Sequence, residues 1–285
     1  MPVLLREVLE VLNPAQGDRY LDLTAGYGGH ASEVLKRTGS LTDSTLVDRD
    51  EYAQSQLREL FGTEDIDLRH TDFLSAAKAL VAEGKQYELI LADLGVSSPH
   101  LDVDQRGFSL KGTGPLDMRM DQSQAVTAGT IVNEWPEAEI ADILKRYGEE
   151  PKARRIARLI VESRPLTGTD ELASIASSVW PGHSRTHPAT RTFQAIRIAV
   201  NNEIGLLEES LPIWFQLLAP GGRVAIISFH SLEDRLVKQA FKTAGGNRYD
   251  AELTILTKRP ITASQSELVF NPRARSAKLR AAVKK

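Results

Sequence analysis

The sequence has no cysteine, which excludes disulfides, thiolate metal sites and cysteine nucleophiles together. It has no apolar stretch approaching the ~20 residues that cross a bilayer. Its first residues, MPVLLRE, carry a charge within the first short apolar run and no small-residue cleavage site, so no signal peptide is expected. There is no internal repeat and no low-complexity segment. A large net charge is lacking too: −3 at neutral pH gives no global field that attracts nucleic acid. These absences leave a cytoplasmic globular protein as the expectation.

What is present is ordinary in bulk and specific in pattern. An apolar fraction of 41% and a charged fraction of 26% are those of a soluble globular chain, and 285 residues make about one or two domains. Residues 1–93 alternate strand signals over 19–23, 44–48, 66–70 and 87–93 with helix signals over 29–37, 51–61 and 73–83. Strands separated by helices imply a parallel sheet covered on both faces. The rhythm breaks in a loop-rich stretch, 94–124, and no strand is convincing between Gly107 and Ala219. Helical periodicity takes over at 137–147, 151–162, 170–179 and 189–218, the last expected to be interrupted. Thr169 is a candidate N-cap. After the PGG turn at 220–222 the sheet resumes with a buried strand over 223–228. A helix over 232–243 follows, which Ser231 caps with Asp234 in a capping-box role, then late strands over 252–258 and 277–283. The expected fold is therefore α/β with an all-helical insertion: 1–103 and 202–285 make the sheet domain, and 104–201 the insertion.

The turn DLTAGYGGH, residues 22–30, joins the first strand to the first helix. Glycines there permit positive φ and close approach of backbone to a ligand, and ligands of open α/β sheets sit beyond the carboxyl ends of the strands. Asp48 ends the second strand about twenty residues after Gly28, where a carboxylate can accept ribose hydroxyls. HTDF at 70–73 offers an acceptor for an adenine amine and, in Phe73, an aromatic face; core packing explains Phe73 equally well. The glycine spacing alone is weak, because Gly26, Gly28 and Ala31 also satisfy the relaxed dinucleotide fingerprint, so a nicotinamide-dependent oxidoreductase is the rival. Three features favour S-adenosylmethionine. Asp22 stands before the turn, where it repels a pyrophosphate and attracts a cationic amino-acid moiety. The glycines run G-x-G-G. A polar loop from Asp93, DLGVSSP, follows the fourth strand, where methyltransferases place the group that handles their nucleophile. No metal site is expected: His183 and His187 are spaced as ligands, but Pro188 follows and no acidic third ligand stands in register. Ser97, Ser98 and His100 lack the nucleophile elbow of a triad hydrolase.

The chain resembles the bacterial 16S ribosomal RNA (cytosine-N4)-methyltransferase family. The resemblance lies in PVLLRE at 2–7, DLTAGYGGH at 22–30, VDRD at 47–50, DLGVSSPHLD at 93–102, RGFS at 106–109, GPLDMRMD at 114–121, HPATRTFQA at 187–195, ISFHSLEDR at 227–235 and NPRARS at 271–276. These strings span nearly the whole chain in order. The sequence departs from the family pattern in lacking a short histidine-containing lead before Pro2 and in its short segment between Arg235 and Asn271.

The resemblance implies a Rossmann-like class I methyltransferase sheet with the helical insertion as RNA substrate domain. It implies methylation of the exocyclic amine of a cytidine in the decoding region of small-subunit rRNA. Carried over by motif, the cofactor residues are Asp22, Gly26, Gly28, Gly29, His30, Asp48, Phe73, Asp93 and His100; glutamine is familiar at the last position. The expected partner is 16S rRNA within the small ribosomal subunit. A homodimer is compatible with the sequence, which does not set oligomeric state.

Cytosine N4 shares its lone pair with the ring and is a poor nucleophile, so an acceptor for its proton is needed. Asp93 is the candidate, with a purely cofactor-binding role as its alternative. LGV after Asp93 replaces the Pro-Pro-aromatic of amino-methyltransferases, leaving Phe108 or Phe229 to stack on the base. His230 is a candidate to orient the base, or a structural histidine. Arg191 and Arg155, with Lys152, Arg154 and Arg158 and the tail 273–285, are candidate phosphate contacts, against the plain alternative of solvated helix faces. A further rival is a catalytically silent RNA-binding assembly factor; intact Asp22, Asp48 and Asp93 argue against it.

Overall fold

The computed structural model describes residues 1–62, 65–97, 101–110, 112–180, 186–246 and 251–285. The chain forms two compact units, Met1–Gly95 with Ile204–Lys285, and Val96–Glu203.

In the first unit the elements run α1 (Leu5–Leu12), β1 (Tyr20–Asp22), α2 (Gly29–Thr38), β2 (Thr45–Asp48), α3 (Glu51–Phe61), β3 (Asp67–His70), α4 (Phe73–Ala82) and β4 (Tyr87–Asp93). The unit's second stretch adds β5 (Leu218–Ser228), α11 (Ser231–Ala244), β6 (Leu253–Ile255), α12 (Gln265–Phe270) and β7 (Lys278–Lys284). Its seven strands are ordered β3-β2-β1-β4-β5-β7-β6, with β7 antiparallel to both of its neighbours and every other pair parallel. This is the Rossmann-like methyltransferase sheet that the resemblance implies. β4 shows why its sequence is a continuous apolar run. Ile90 and Ala92 face one apolar cluster with Leu80, Trp214 and Phe241, while Leu89 and Leu91 face the other with Leu4, Val34 and Leu57. A strand covered on both faces has no polar side to show.

β5 starts at Leu218, so the PGG segment read as a turn lies inside the strand. The irregularity is absorbed by a register shift between Tyr87 and Leu89. Gly222 lets the strands approach there, since a Cβ would stand 2.9 Å from the Tyr87 carbonyl oxygen. α11 is capped by His230 rather than Ser231. The His230 ring accepts from the Glu233 N–H, and Glu233 closes the box from the third helical position. Asp234, expected in that box, binds Arg280 at 2.7 Å and Lys278 at 3.2 Å on β7 instead.

The second unit is helical: α5 (Ala128–Glu134), α6 (Glu137–Gly148), α7 (Ala153–Glu162), α8 (Thr169–Ser178) and α9 (Thr190–Asn201). α10 (Glu203–Gln216) follows and leads back into the sheet. The long helical signal is broken between α9 and α10 at Asn202, whose φ of 48° is left-handed. Asn201 anchors the break by accepting from Met120 N–H at 2.8 Å and donating to the Met118 carbonyl at 2.7 Å. α8 is capped by Gly168, while the expected cap Thr169 is buried and donates to the Gly112 carbonyl. α6 and α9 pack through Gly148, where a Cβ would meet the Arg191 carbonyl oxygen at 2.6 Å. α7 buries Ala153, Ile156, Ala157 and Ile160 and turns its arginines outward. Among the described residues no helix is long and apolar enough to cross a membrane.

Candidate active site

β1 and β4 are neighbours whose successors lie on opposite sides, β2 beyond β1 and β5 beyond β4, so the crevice past their carboxyl ends is the switch point of the sheet. Asp22 ends β1 and Asp93 ends β4. The turn after β1 is tied across this point. Ala25 N–H donates to the Val47 carbonyl at 2.9 Å, and Asp93 N–H to Thr24 Oγ1 at 2.6 Å.

Asp22 is 1% exposed. Tyr20 donates its hydroxyl to Oδ2 at 2.7 Å and Thr24 its N–H to Oδ1 at 3.1 Å. Burial outweighs both hydrogen bonds and, with Asp48 nearby, raises the carboxyl to about 7. Asp93 leaves Oδ1 buried with no hydrogen-bond partner. Burial first, then Asp22 and Glu233, hold its pKa well above the usual carboxylate range. Among the described residues neither Asp22 nor Asp93 has a lysine or arginine partner, and His30 places Nδ1 3.6 Å from Asp93 Oδ2. His30 is itself buried, with Nε2 2.9 Å from the Val3 carbonyl oxygen, and desolvation lowers its pKa to about 4 against that hydrogen bond. The crevice therefore gathers carboxyl groups around a neutral ring. Such surroundings fit a cationic ligand: S-adenosylmethionine brings an ammonium, which donates hydrogen bonds, and a sulfonium, which brings charge alone.

Asp48 accepts from Gly26 N–H at 2.8 Å and from Asp50 N–H at 2.8 Å. These two hydrogen bonds hold the turn and the start of α3 against the end of β2. Within the HTDF segment, Asp72 caps α4, accepting from Leu74 N–H and Ser75 N–H. The glycines serve distinct needs. Gly26 and Gly28 have φ of 52° and 73°. A Cβ on Gly26 would make only an ordinary contact with the Thr24 carbonyl oxygen at 3.9 Å, whereas one on Gly28 would stand 2.8 Å from Leu60 Cδ2 and 2.9 Å from Phe61 Cε2. One on Gly29 would stand 2.8 Å from Pro2 Cγ. At Gly28 and Gly29 the missing side chain thus makes room for the protein's own packing.

Phe73 is half-buried and packs edge-on against Trp214, centroids 5.4 Å apart. His230 caps α11 through Nδ1, the hydrogen-bonded structural role that was the alternative to orienting a base. Phe108 is 5% exposed in the core of the helical unit, so its ring is committed to packing rather than presented to a base. Phe229 is half-buried, 3.5 Å from where a Cβ of Gly95 would stand. In the helical unit Arg154, Arg155 and Arg158 on α7 and Arg191 on α9 are exposed and, among the described residues, have no ion-pair or hydrogen-bond partner. Lys152 is not available in this way: it donates to the Val179 carbonyl and stacks 4.1 Å over Trp180. The C-terminal cations are divided. Lys278 and Arg280 bind Asp234, Lys284 binds the Phe215 carbonyl, and Arg275 stays exposed. His100, His183 and Arg185 lie outside the described residues. Sequence reasoning missed Tyr20, Thr24, Glu233 and Val3. Tyr20 had a signal, since residues two apart on a strand share a face; Glu233 and the Val3 carbonyl had none.

The MraW methylase family model matches residues 1–285. The chain belongs to that family. It is 46% identical over 288 residues to the ribosomal RNA small subunit methyltransferase H of Synechococcus elongatus, covering 98% of this chain and 93% of that one. It is 49% identical over 292 residues to the protein of the same name from Trichormus variabilis, covering 100% and 92%. Among solved structures, an rRNA methylase from Streptococcus thermophilus aligns over 98% of this chain and 93% of that chain, at 11% identity and a TM-score of 0.43. This methylase is S-adenosylmethionine-dependent, and the nicotinamide alternative for the glycine turn falls away.

Proposed function

We propose that this methylase transfers a methyl group from S-adenosylmethionine to the exocyclic N4 amine of a cytidine in the decoding region of 16S rRNA, in the cytoplasm and within the small ribosomal subunit. The cofactor supplies an activated methyl group, so the protein's tasks are alignment and removal of a proton. The observation that carries the reading is the Asp93 carboxyl, set at the switch point with Oδ1 buried and unpartnered. Asp22, Gly26, Gly28, Gly29 and Asp48 frame the cofactor position, with Asp22 supplying charge opposite the cationic amino-acid end. Asp93 is the acceptor for the amine proton. Its raised proton affinity suits a base that works near neutral pH.

The helical unit is the RNA substrate domain in this reading. Arg154, Arg155, Arg158 and Arg191 are cations with no protein partner among the described residues, which suits phosphate contact. The target base must leave its stack to reach the methyl donor, and Phe229 is the aromatic side chain still available to receive it. Labelled methyl transfer to small subunits lacking the modification, followed by nucleoside mapping, tests the proposal. Recovery of N4-methylcytidine is expected, and label on ring carbon five would overturn it. Naked 16S rRNA in the same assay separates free RNA from the assembled subunit as substrate, and sedimentation velocity separates monomer from homodimer.

A further inference from the structure

The PVLLRE motif has no part in the chemistry above, yet its backbone is pinned over the cofactor turn at three successive residues. Pro2 lies against Gly29, where any Cβ would clash with its ring. The Val3 carbonyl oxygen meets His30 Nε2 at 2.9 Å. Leu4, in a left-handed conformation with φ 54°, donates its N–H to Glu267 Oε1 at 2.8 Å and buries its side chain completely. A carbonyl oxygen only accepts hydrogen bonds, so its contact fixes the hydrogen of His30 on Nε2 and leaves Nδ1 a bare acceptor. That acceptor is aimed at Asp93 Oδ2, 3.6 Å away. The separation is too long for a hydrogen bond, and closing by about 0.7 Å would make one. Two acceptors cannot bond without a proton between them.

We propose that His30 is a positioning residue for Asp93: the strap of Pro2, Val3 and Leu4 locks its ring as the Nε2–H tautomer, and the bare Nδ1 becomes the hydrogen-bond acceptor for Asp93 once that carboxylate has taken the amine proton. The inference rests on the reading of Asp93 as the base. In the step, the amine N–H bond breaks with its electron pair left on nitrogen, and a carboxylate lone pair forms the new O–H bond. The acid so formed is the state that can donate to Nδ1. An acceptor that bonds only the protonated carboxyl strengthens Asp93 as a base. The other groups facing the pair act consistently. Among the described residues, Asp22 and Tyr20 on β1 and Glu233 on α11 act on Asp93 and no lysine or arginine does, and the terminal amine disfavours a second proton on His30. His30 is then a support for the proton acceptor and not a cofactor contact, which departs from the role the family resemblance gives it.

Nitrogen-15 NMR of histidine-labelled protein tests the tautomer directly in the unmodified chain. A His30 signal with protonated Nε2 and bare Nδ1, unchanged between pH 5.5 and pH 8, is expected; an Nδ1–H tautomer, or titration near the ordinary value of 6.5, overturns the proposal. His30→Asn and His30→Phe then test the coupling. Loss of such a supporting group typically costs about 10–100-fold in rate. That loss should come with the acid limb of the single-turnover profile moved to lower pH and with S-adenosylmethionine affinity within about threefold of the parent. A larger loss of cofactor affinity with an unmoved pH profile makes His30 a cofactor contact and overturns it. Asp93→Asn distinguishes the underlying reading. If that variant methylates at the parental rate, Asp93 is not the base, and the proton-acceptor step falls with it while the NMR result still reports the tautomer.

Discussion

Asp22→Asn is the perturbation that best separates what the site costs from what it does. Asp22 is 1% exposed and its carboxyl is raised from 3.8 to about 7, chiefly by burial. A carboxyl with a raised folded-state pKa holds its proton more tightly in the fold than in the unfolded chain. Its contribution to stability is therefore complete below pH 4 and is lost as pH rises through about 7. The gap corresponds to about 4 kcal/mol at ~1.4 kcal/mol per pKa unit, an upper figure because ionisation can draw water into the crevice. Asparagine keeps the shape: its amide oxygen can accept from Thr24 N–H and its amide hydrogens can donate to the Tyr20 hydroxyl oxygen. It removes the ionisation and relieves Asp93 of a like charge. Urea unfolding of the cofactor-free protein should find the variant more stable than the parent by about 2–4 kcal/mol at pH 8, an advantage that shrinks by about 1–3 kcal/mol at pH 5 and closes only below pH 4. The cofactor should show the reverse preference. Calorimetry of S-adenosylmethionine binding to the parent should give an affinity about tenfold weaker at pH 6 than at pH 8, because only the ionised carboxyl attracts the cation. Asp22→Asn should bind weakly at both. A stability difference that does not change with pH, or a variant that binds the cofactor as the parent does, refutes the reasoning.

Three other perturbations probe different layers of the argument. Gly28→Ala should destabilise by about 2–4 kcal/mol in urea melts, since it meets positive-φ strain and contact with Leu60 and Phe61 together; Gly26→Ala, strained but unobstructed, should lose only about 1 kcal/mol. Arg155→Ala and Arg191→Ala should each lower the salt dependence of RNA binding by about one unit of log–log slope. They should leave cofactor affinity unchanged by calorimetry, and an unaltered salt slope would return these arginines to the solvated surface. Phe73→Leu should hold stability within about 1.5 kcal/mol as a volume-conserving change against Trp214. A fall in S-adenosylmethionine affinity on top of that would assign the ring to stacking, and none would assign it to packing alone.

The sheet was legible from the sequence because its strands carry their signal in every residue. A strand buried on both faces has a continuous apolar centre, and Leu89–Ala92 within Tyr87–Asp93 shows it. The start of its partner, Leu218–Ser228, was not legible in this way, since Pro220, Gly221 and Gly222 imitate a turn while their backbone continues the strand across a register shift. The same asymmetry governs the site. Asp22, Asp48 and Asp93 were legible because strand order places carboxylates at strand ends beside the switch point, whatever their local packing. Phe108 and Phe229 were not separable, because an aromatic residue in a loop motif reads alike whether it enters a core or stays at its edge. Nor could the sequence divide the basic residues: Lys152, the N-cap of α7, is spent on Val179 and Trp180, while Arg154 and Arg155 on the helix have no partner among the described residues.

The glycine turn carries the most transferable lesson. Glycine spacing was first a sign of close approach to a ligand, yet at Gly28 and Gly29 the space is occupied by α3 and by Pro2. The turn therefore couples the cofactor crevice to two distant segments of chain, residues 57–61 and the Pro2–Leu4 strap. Such a motif must be long. A pyrophosphate-binding turn needs the glycines alone, whereas this one needs the glycines, the histidine whose tautomer the strap sets, and the strap itself. That requirement explains in physical terms why PVLLRE and DLTAGYGGH occur together in one chain although only the second borders the cofactor.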